Sequence, residues 1–127
     1  MATWEDVRRL ALSLPGTKQT SSAAGDRQWR VRSKTFLWER PLRAADLRAL
    51  GETAHPAPVL AASVPDVGVR EALIADDPES YFTTPHFRDY PAVLVRLDVI
   101  ALPELDELVR EAWRVRAPAR LVQQHGS

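Results

Sequence analysis

Between Ala92 and Asp98 the chain reads Ala-Val-Leu-Val-Arg-Leu-Asp, and from Pro103 the spacing of its apolar residues changes from two to three and four. That change of period limits the fold more than any other feature. Val93, Val95 and Leu97 fall on one face of an extended strand, with Leu94 beside Arg96 and Asp98 on the other. Leu105, Leu108, Val109, Ala112 and Trp113 then make one stripe of a helix. Pro103 sits in its first turn, where a missing N–H costs nothing. Glu104, Asp106 and Glu107 lie toward the positive end of its dipole, and Arg110, Arg114 and Arg116 toward the negative end. A strand and a helix that each carry an apolar face must bury those faces against other elements, which puts helices on a sheet.

The rest of the chain extends this pattern. Trp4, Val7, Leu10, Ala11 and Leu14 share a helical face, Thr3 can cap it with Asp6 three residues on, and Pro15-Gly16 stops it. Residues 17–26 are small and polar and are expected to form a mobile loop. Trp29 and Val31 alternate with polar residues, Ser33-Lys34 turns the chain, and Phe36 and Trp38 continue the same aromatic face, so a hairpin is expected. A short helix over Ala44 to Leu50, a loop through His55, Pro56 and Pro58, and a strand from Val59 to Val64 follow. Asp66 caps a helix carrying Val67, Val69, Leu73 and Ile74, which must end before Pro78. Tyr81 to Thr83 reads as a short strand, Ala117-Pro118 ends the closing helix, and residues 121–127 are expected to fray. The result is one α+β domain over residues 1–127: an antiparallel sheet of about five strands packed with N-terminal and C-terminal helices.

Composition narrows the function. With 127 residues of which 45% are hydrophobic, the chain can bury one real core. It has no cysteine, which excludes disulfides, thiolate catalysis and cysteine-ligated zinc, and fits a reducing, cytoplasmic setting. The opening Met1-Ala2-Thr3-Trp4-Glu5-Asp6 lacks the order of a signal peptide, and no apolar run reaches the ~18 residues of a membrane span. Seventeen basic residues balance seventeen acidic ones, so no whole-molecule field draws the protein to nucleic acid. Binding of that kind must come from local asymmetry.

Three stretches together resemble the MmcQ/YjbR family of small bacterial proteins. They are Leu14-Pro15-Gly16, the pair Trp29-Arg30-Val31 and Thr35-Phe36-Leu37, and the block from Tyr81 to Trp113. That block contains Tyr-Phe-Thr-Thr-Pro-His-Phe, Tyr90-Pro91-Ala92-Val93-Leu94-Val95-Arg96-Leu97 and Glu-Leu-Val-Arg-Glu-Ala-Trp. The resemblance implies a compact α+β fold of the CyaY type, described as a double wing, and carries a "DNA-binding" label by fold analogy. The chain departs from the family pattern at Thr17 to Ala24, where aromatic or acidic residues are common.

Two stretches are candidates for function. Between Arg27 and Arg48, seven cations face only Glu39 and Asp46. Arg27, Arg30, Arg32, Lys34, Arg40 and Arg43 of this set can lie along a phosphate backbone and release its counterions, which makes DNA the expected partner. The plainer reading is a solvated face whose charges keep the edge from pairing with another chain. The counterweight is Asp66 to Glu79, where five carboxylates face Arg70 alone. If the two segments adjoin, they cancel; if they lie apart, the molecule is dipolar. The second candidate is Tyr81, Thr84, His86 and Arg88, a ligand- or protein-binding cluster in which His86 can act with Arg88 on an anion or be oriented by Asp89. The plainer reading is a bend whose polar groups satisfy one another. All four tryptophans fall on core-facing positions. No nucleophile elbow, phosphate loop, dinucleotide fingerprint or metal-ligand spacing occurs, so no catalytic residue, cofactor or metal is assigned.

Overall fold

The computed structural model describes residues 1–51 and 58–125. Its elements in chain order are α1 (Trp4–Leu12), β1 (Thr17–Ser21), β2 (Arg27–Val31), β3 (Lys34–Glu39), α2 (Ala44–Leu50), β4 (Val59–Ser63), α3 (Val67–Asp76), β5 (Tyr81–Phe82), a 3₁₀ turn (Pro85–Phe87), β6 (Ala92–Arg96), α4 (Leu102–Arg116) and α5 (Ala119–Gln124). The strands form one open sheet in the order β1-β2-β3-β4-β6-β5, with every neighbouring pair antiparallel. The expected α+β class holds. Of the residues expected in the loop through His55, Pro56 and Pro58, only Pro58 lies within the described residues.

The helix ends follow from local chemistry. The Thr3 hydroxyl accepts the Asp6 N–H at 3.2 Å, and the Asp6 carboxylate accepts the Thr3 N–H at 2.9 Å, which closes a capping box. Chiefly through that backbone bond, the Asp6 carboxyl is held below its usual range. At the other end Gly16 has φ +73°, and its carbonyl accepts the Arg32 N–H at 2.9 Å. A Cβ there would meet the Leu121 side chain at 3.0 Å, so both the conformation and the space call for glycine. Trp113 of α4 donates its indole N–H to the Pro15 carbonyl at 3.0 Å, fixing the closing helix to this same turn.

The sheet is buried on both sides at its centre. One face carries Trp29, Val31, Phe36, Leu37, Leu60, Val93 and Val95, covered by α1 and α4. The other carries Val59, Ala61, Phe82, Phe87, Ala92 and Leu94, with Trp38, Leu42 and Leu50 packed beside them. Two-sided burial explains why β4 and β6 read as nearly continuous apolar runs despite being antiparallel.

Four expectations are corrected. The stretch expected to be a loop from residue 17 forms the edge strand β1, paired with β2 along its whole length. The hairpin turns at Arg32-Ser33, one residue before Ser33-Lys34, because Val31 pairs with Lys34 and Arg32 takes φ +59°. A bulge separates the pairs Trp29–Leu37 and Arg30–Thr35, leaving Phe36 unopposed. Phe36 and Leu37 therefore point to the first face together, and Trp38 points to the second, away from Trp29. Finally, the tail expected to fray from residue 121 begins inside α5, whose Leu121 is buried in the main core.

Candidate binding face

Among the described residues, the second face is covered over β4, β6 and β5, where the 3₁₀ turn and α2 pack against each other. Over β1, β2 and β3 it carries Lys18, Thr20, Gln28, Arg30, Thr35 and Trp38, placed together by the pairs Lys18–Arg30, Thr20–Gln28, Arg30–Thr35 and Gln28–Trp38. A groove of about 530 Å³ runs along the inner edge of this open half. The β1–β2 turn (Ser22, Ala23) forms one wall, Trp38 and Gln28 the floor, and His86, Phe87 and Tyr90 the opposite wall.

That opposite wall is built by two buried arginines. Arg70 of α3, 3% exposed, donates to the carbonyls of Phe87, Arg88 and Tyr90, the last two at 3.0 and 3.1 Å. In the sequence it is the lone cation among the carboxylates of residues 66–79. Arg40 pairs with Asp46 at 3.1 Å, with side chains 7% and 5% exposed, and lies 5.3 Å from the centre of the Phe87 ring. Burial alone would raise the Asp46 carboxyl. The Arg43 backbone N–H, the Arg40 charge and the Thr84 hydroxyl outweigh it and hold the group below the usual carboxylate range. Aromatic edges close the wall: Phe87 lies 4.9 Å from His86 and Tyr90 lies 6.4 Å from Trp38, ring centre to ring centre.

The six cations expected to form a phosphate-binding set divide. Arg27 is engaged with Glu39 at 3.1 Å and stands over the Trp4 ring, and Arg40 is committed to Asp46. Arg30 is half-buried on the open face, while Arg32 and Lys34 are exposed at the hairpin turn. Arg43 is exposed on the groove rim. Lys18 joins Arg30 on the same face, which only the pairing of β1 with β2 could reveal.

Tyr81, Thr84, His86 and Arg88 converge only in part: His86 and Arg88, with Asp89, line a shallow cavity of about 480 Å³, and Tyr81 and Thr84 lie elsewhere. Tyr81 is buried in the main core on the first face, and Thr84 lies beneath the turn against Asp46. His86 and Arg88 are both exposed, but only His86 lines the groove. Among the described residues no hydrogen bond joins His86 to Asp89 and no cluster of three metal-ligating side chains occurs; His55 lies outside them.

The two charged segments are separated only in part. The basic hairpin β2–β3 is near one end of the sheet, and α3 packs against β5 and β6 at the other, with β5 four strand spacings, or about 19 Å, from β2. The hairpin end of the basic segment therefore lies beyond the ~8 Å screening length at physiological salt. Its later part does not: Arg40 stands over the ring of Phe87, whose carbonyl accepts from Arg70 of α3.

The architecture is thus α+β, an open antiparallel sheet with one half of one face left uncovered among the described residues and a groove along it. The chain belongs to the YjbR family, whose model matches residues 12–115. It is 48% identical over 126 residues to the uncharacterized protein Rv2570 of Mycobacterium tuberculosis, covering 97% of this chain and 95% of that one. The same figures hold for the uncharacterized protein Mb2600 of Mycobacterium bovis. Among solved structures it matches Deinococcus radiodurans protein DR2400, a DUF419 domain, with TM-score 0.66 and 22% identity over 89% of this chain and 77% of that one. That last likeness concerns the fold. Among the described residues no helix is long and apolar enough to cross a membrane.

Proposed function

We propose that the protein is a binding module without chemistry of its own, and that it takes single-stranded nucleic acid across the open half of the second face. The observation that carries this reading is the position of Trp38. It is partly buried, packed beside the second-face core with its remaining surface in the groove, and it pairs across the sheet with Gln28, two residues from Arg30. An aromatic platform beside cations that track a backbone is the arrangement that single strands use, because every base has a stacking face. Lys18, Arg30 and Arg43 supply the charge. The Nε of Arg30 and the hydroxyl of Thr20, close together on this face, are shielded from water and have no hydrogen-bond partner among the described residues.

Fluorescence anisotropy with a labelled single-stranded oligonucleotide tests the reading. Binding should weaken at least tenfold in Arg30→Glu, and its dependence on salt should follow the ~0.7 counterions per phosphate released from a single strand. Binding that ignores both the charge reversal and the salt refutes it. The enclosed end of the groove at His86, Phe87 and Tyr90 favours a second reading, a small planar ligand. Saturation by a mononucleotide with no gain from a longer strand would select it.

A further inference from the structure

A second groove, of about 470 Å³, lies on the far side of the molecule, between α3 and α4. Its apolar lining is Val64, Val69, Leu73 and Leu108, and Val69 is 37% exposed. Carboxylates supply the polar lining: Asp76 at the end of α3, and Glu104, Glu107 and Glu111 on one stripe of α4. No cation lines it. Arg114 is paired with Glu111, while Asp76, Glu104 and Glu107 have no cationic partner among the described residues. Tyr81 closes the base, where burial first, and then Glu104, Asp77 and Glu107, push its phenol well above its ordinary range.

Like charges at three- and four-residue spacing on one helix oppose its stability; the dipole offsets this for Glu104 in the first turn and Arg114 for Glu111, which leaves Glu107 facing the groove with no cationic partner among the described residues. An apolar floor under a one-signed rim suits a partner with a charged tip on an apolar stem. Lysine and arginine have that form: their methylene stems lie on apolar surface while the head reaches the rim. A simple cation would gain nothing from Val69 and Leu73, and an apolar segment would gain nothing from the carboxylates. We propose that this groove docks a short basic segment of a partner protein in which Lys or Arg alternates with apolar residues. Charge complementarity selects that occupant, and the groove does not overlap the nucleic-acid face proposed above.

A labelled twelve-residue peptide of alternating lysine and leucine is the probe. The intact protein should bind it, and Asp76→Lys with Glu107→Lys should weaken binding at least tenfold, as should Val69→Asp. Both sites are exposed, and an unchanged melting temperature shows that the variants fold; should the double variant melt early, Glu107→Gln alone should cost about threefold. A peptide with glutamate in place of lysine should not bind. Equal binding to wild type and variants overturns the proposal, and so does oligolysine without leucine binding as tightly. Concentration-dependent self-association abolished by the double variant would also overturn it, assigning the groove to the basic hairpin of a second copy.

Discussion

The Arg40 guanidinium meets the Asp46 carboxylate at 3.1 Å, and this contact joins the end of β3 to α2 directly under the His86 turn. Two charges so nearly closed off from water are held by each other and by the Arg43 N–H. Asp46→Ala leaves Arg40 buried and unmatched, and should cost about 3–5 kcal/mol. Arg40→Met with Asp46→Leu should cost much less than that single change, because no charge is stranded. Denaturant melts of the three proteins check the order.

The same carboxyl sets a pH dependence. Its folded pKa lies below the ordinary value of 3.8, so its stabilising contribution is complete above that pH and falls away as the pH drops toward the lower folded value. Asp46→Ala should flatten the acid limb of the stability curve in that window. Equilibrium unfolding between pH 2 and pH 6, roughly spanning the carboxylate range, provides the comparison.

Arg70 holds the groove wall from behind. Arg70→Met keeps the stem but strands three carbonyls of residues 87–90, at a cost of about 2–4 kcal/mol. Because the affected backbone carries Phe87 and Tyr90, oligonucleotide affinity should fall as well, even though Arg70 does not line the groove. Amide exchange of the 84–90 segment should accelerate in the variant while that of β2 and β3 stays unchanged.

Gly16→Ala places a Cβ on a left-handed residue and against Leu121. The conformation alone costs about 1–2 kcal/mol, and the clash adds to it. The loss should be most visible as fraying of α5 by amide exchange, since Leu121 is the side chain displaced.

Trp29 and Trp38 should respond oppositely. Trp29→Ala empties a fully buried site and should destabilise by about 3–5 kcal/mol, whereas Trp38→Ala should cost less stability and more affinity. A lost stacking platform is worth about 1–3 kcal/mol per base, roughly fivefold to 150-fold in binding. Paired melts and titrations of the two variants separate the roles.

Helices α1 to α4 were legible in the sequence from apolar spacing and marked ends, as in Thr3-Asp6 and Asp66, whereas the six-residue α5 is too short to show a period and reads as a fraying tail. Strands β2, β4 and β6 were legible from their apolar residues. β1 was not: Thr17-Lys18-Gln19-Thr20-Ser21 has no apolar residue, and an edge strand held mainly by its backbone pairing to β2 leaves no alternation to find. Missing it concealed Lys18. The bulge at Phe36 was equally silent, because an extra residue changes which face Trp38 takes without changing its composition. The wall-building role of Arg70 left no local mark, since besides the neighbouring Glu71 its partners are backbone carbonyls seventeen to twenty residues away. The separation of the charged segments depends on strand order, which the sequence does not print.

Backbone and indole NMR resonances followed during titration with a single-stranded oligonucleotide test the central claim most directly. The account predicts that the shifted signals cluster on Lys18, Gln28, Arg30 and Arg43 and on the Trp38 indole N–H, while α3 and the first face stay still. No shifts at low salt, or shifts confined to α3 and α4, would contradict it.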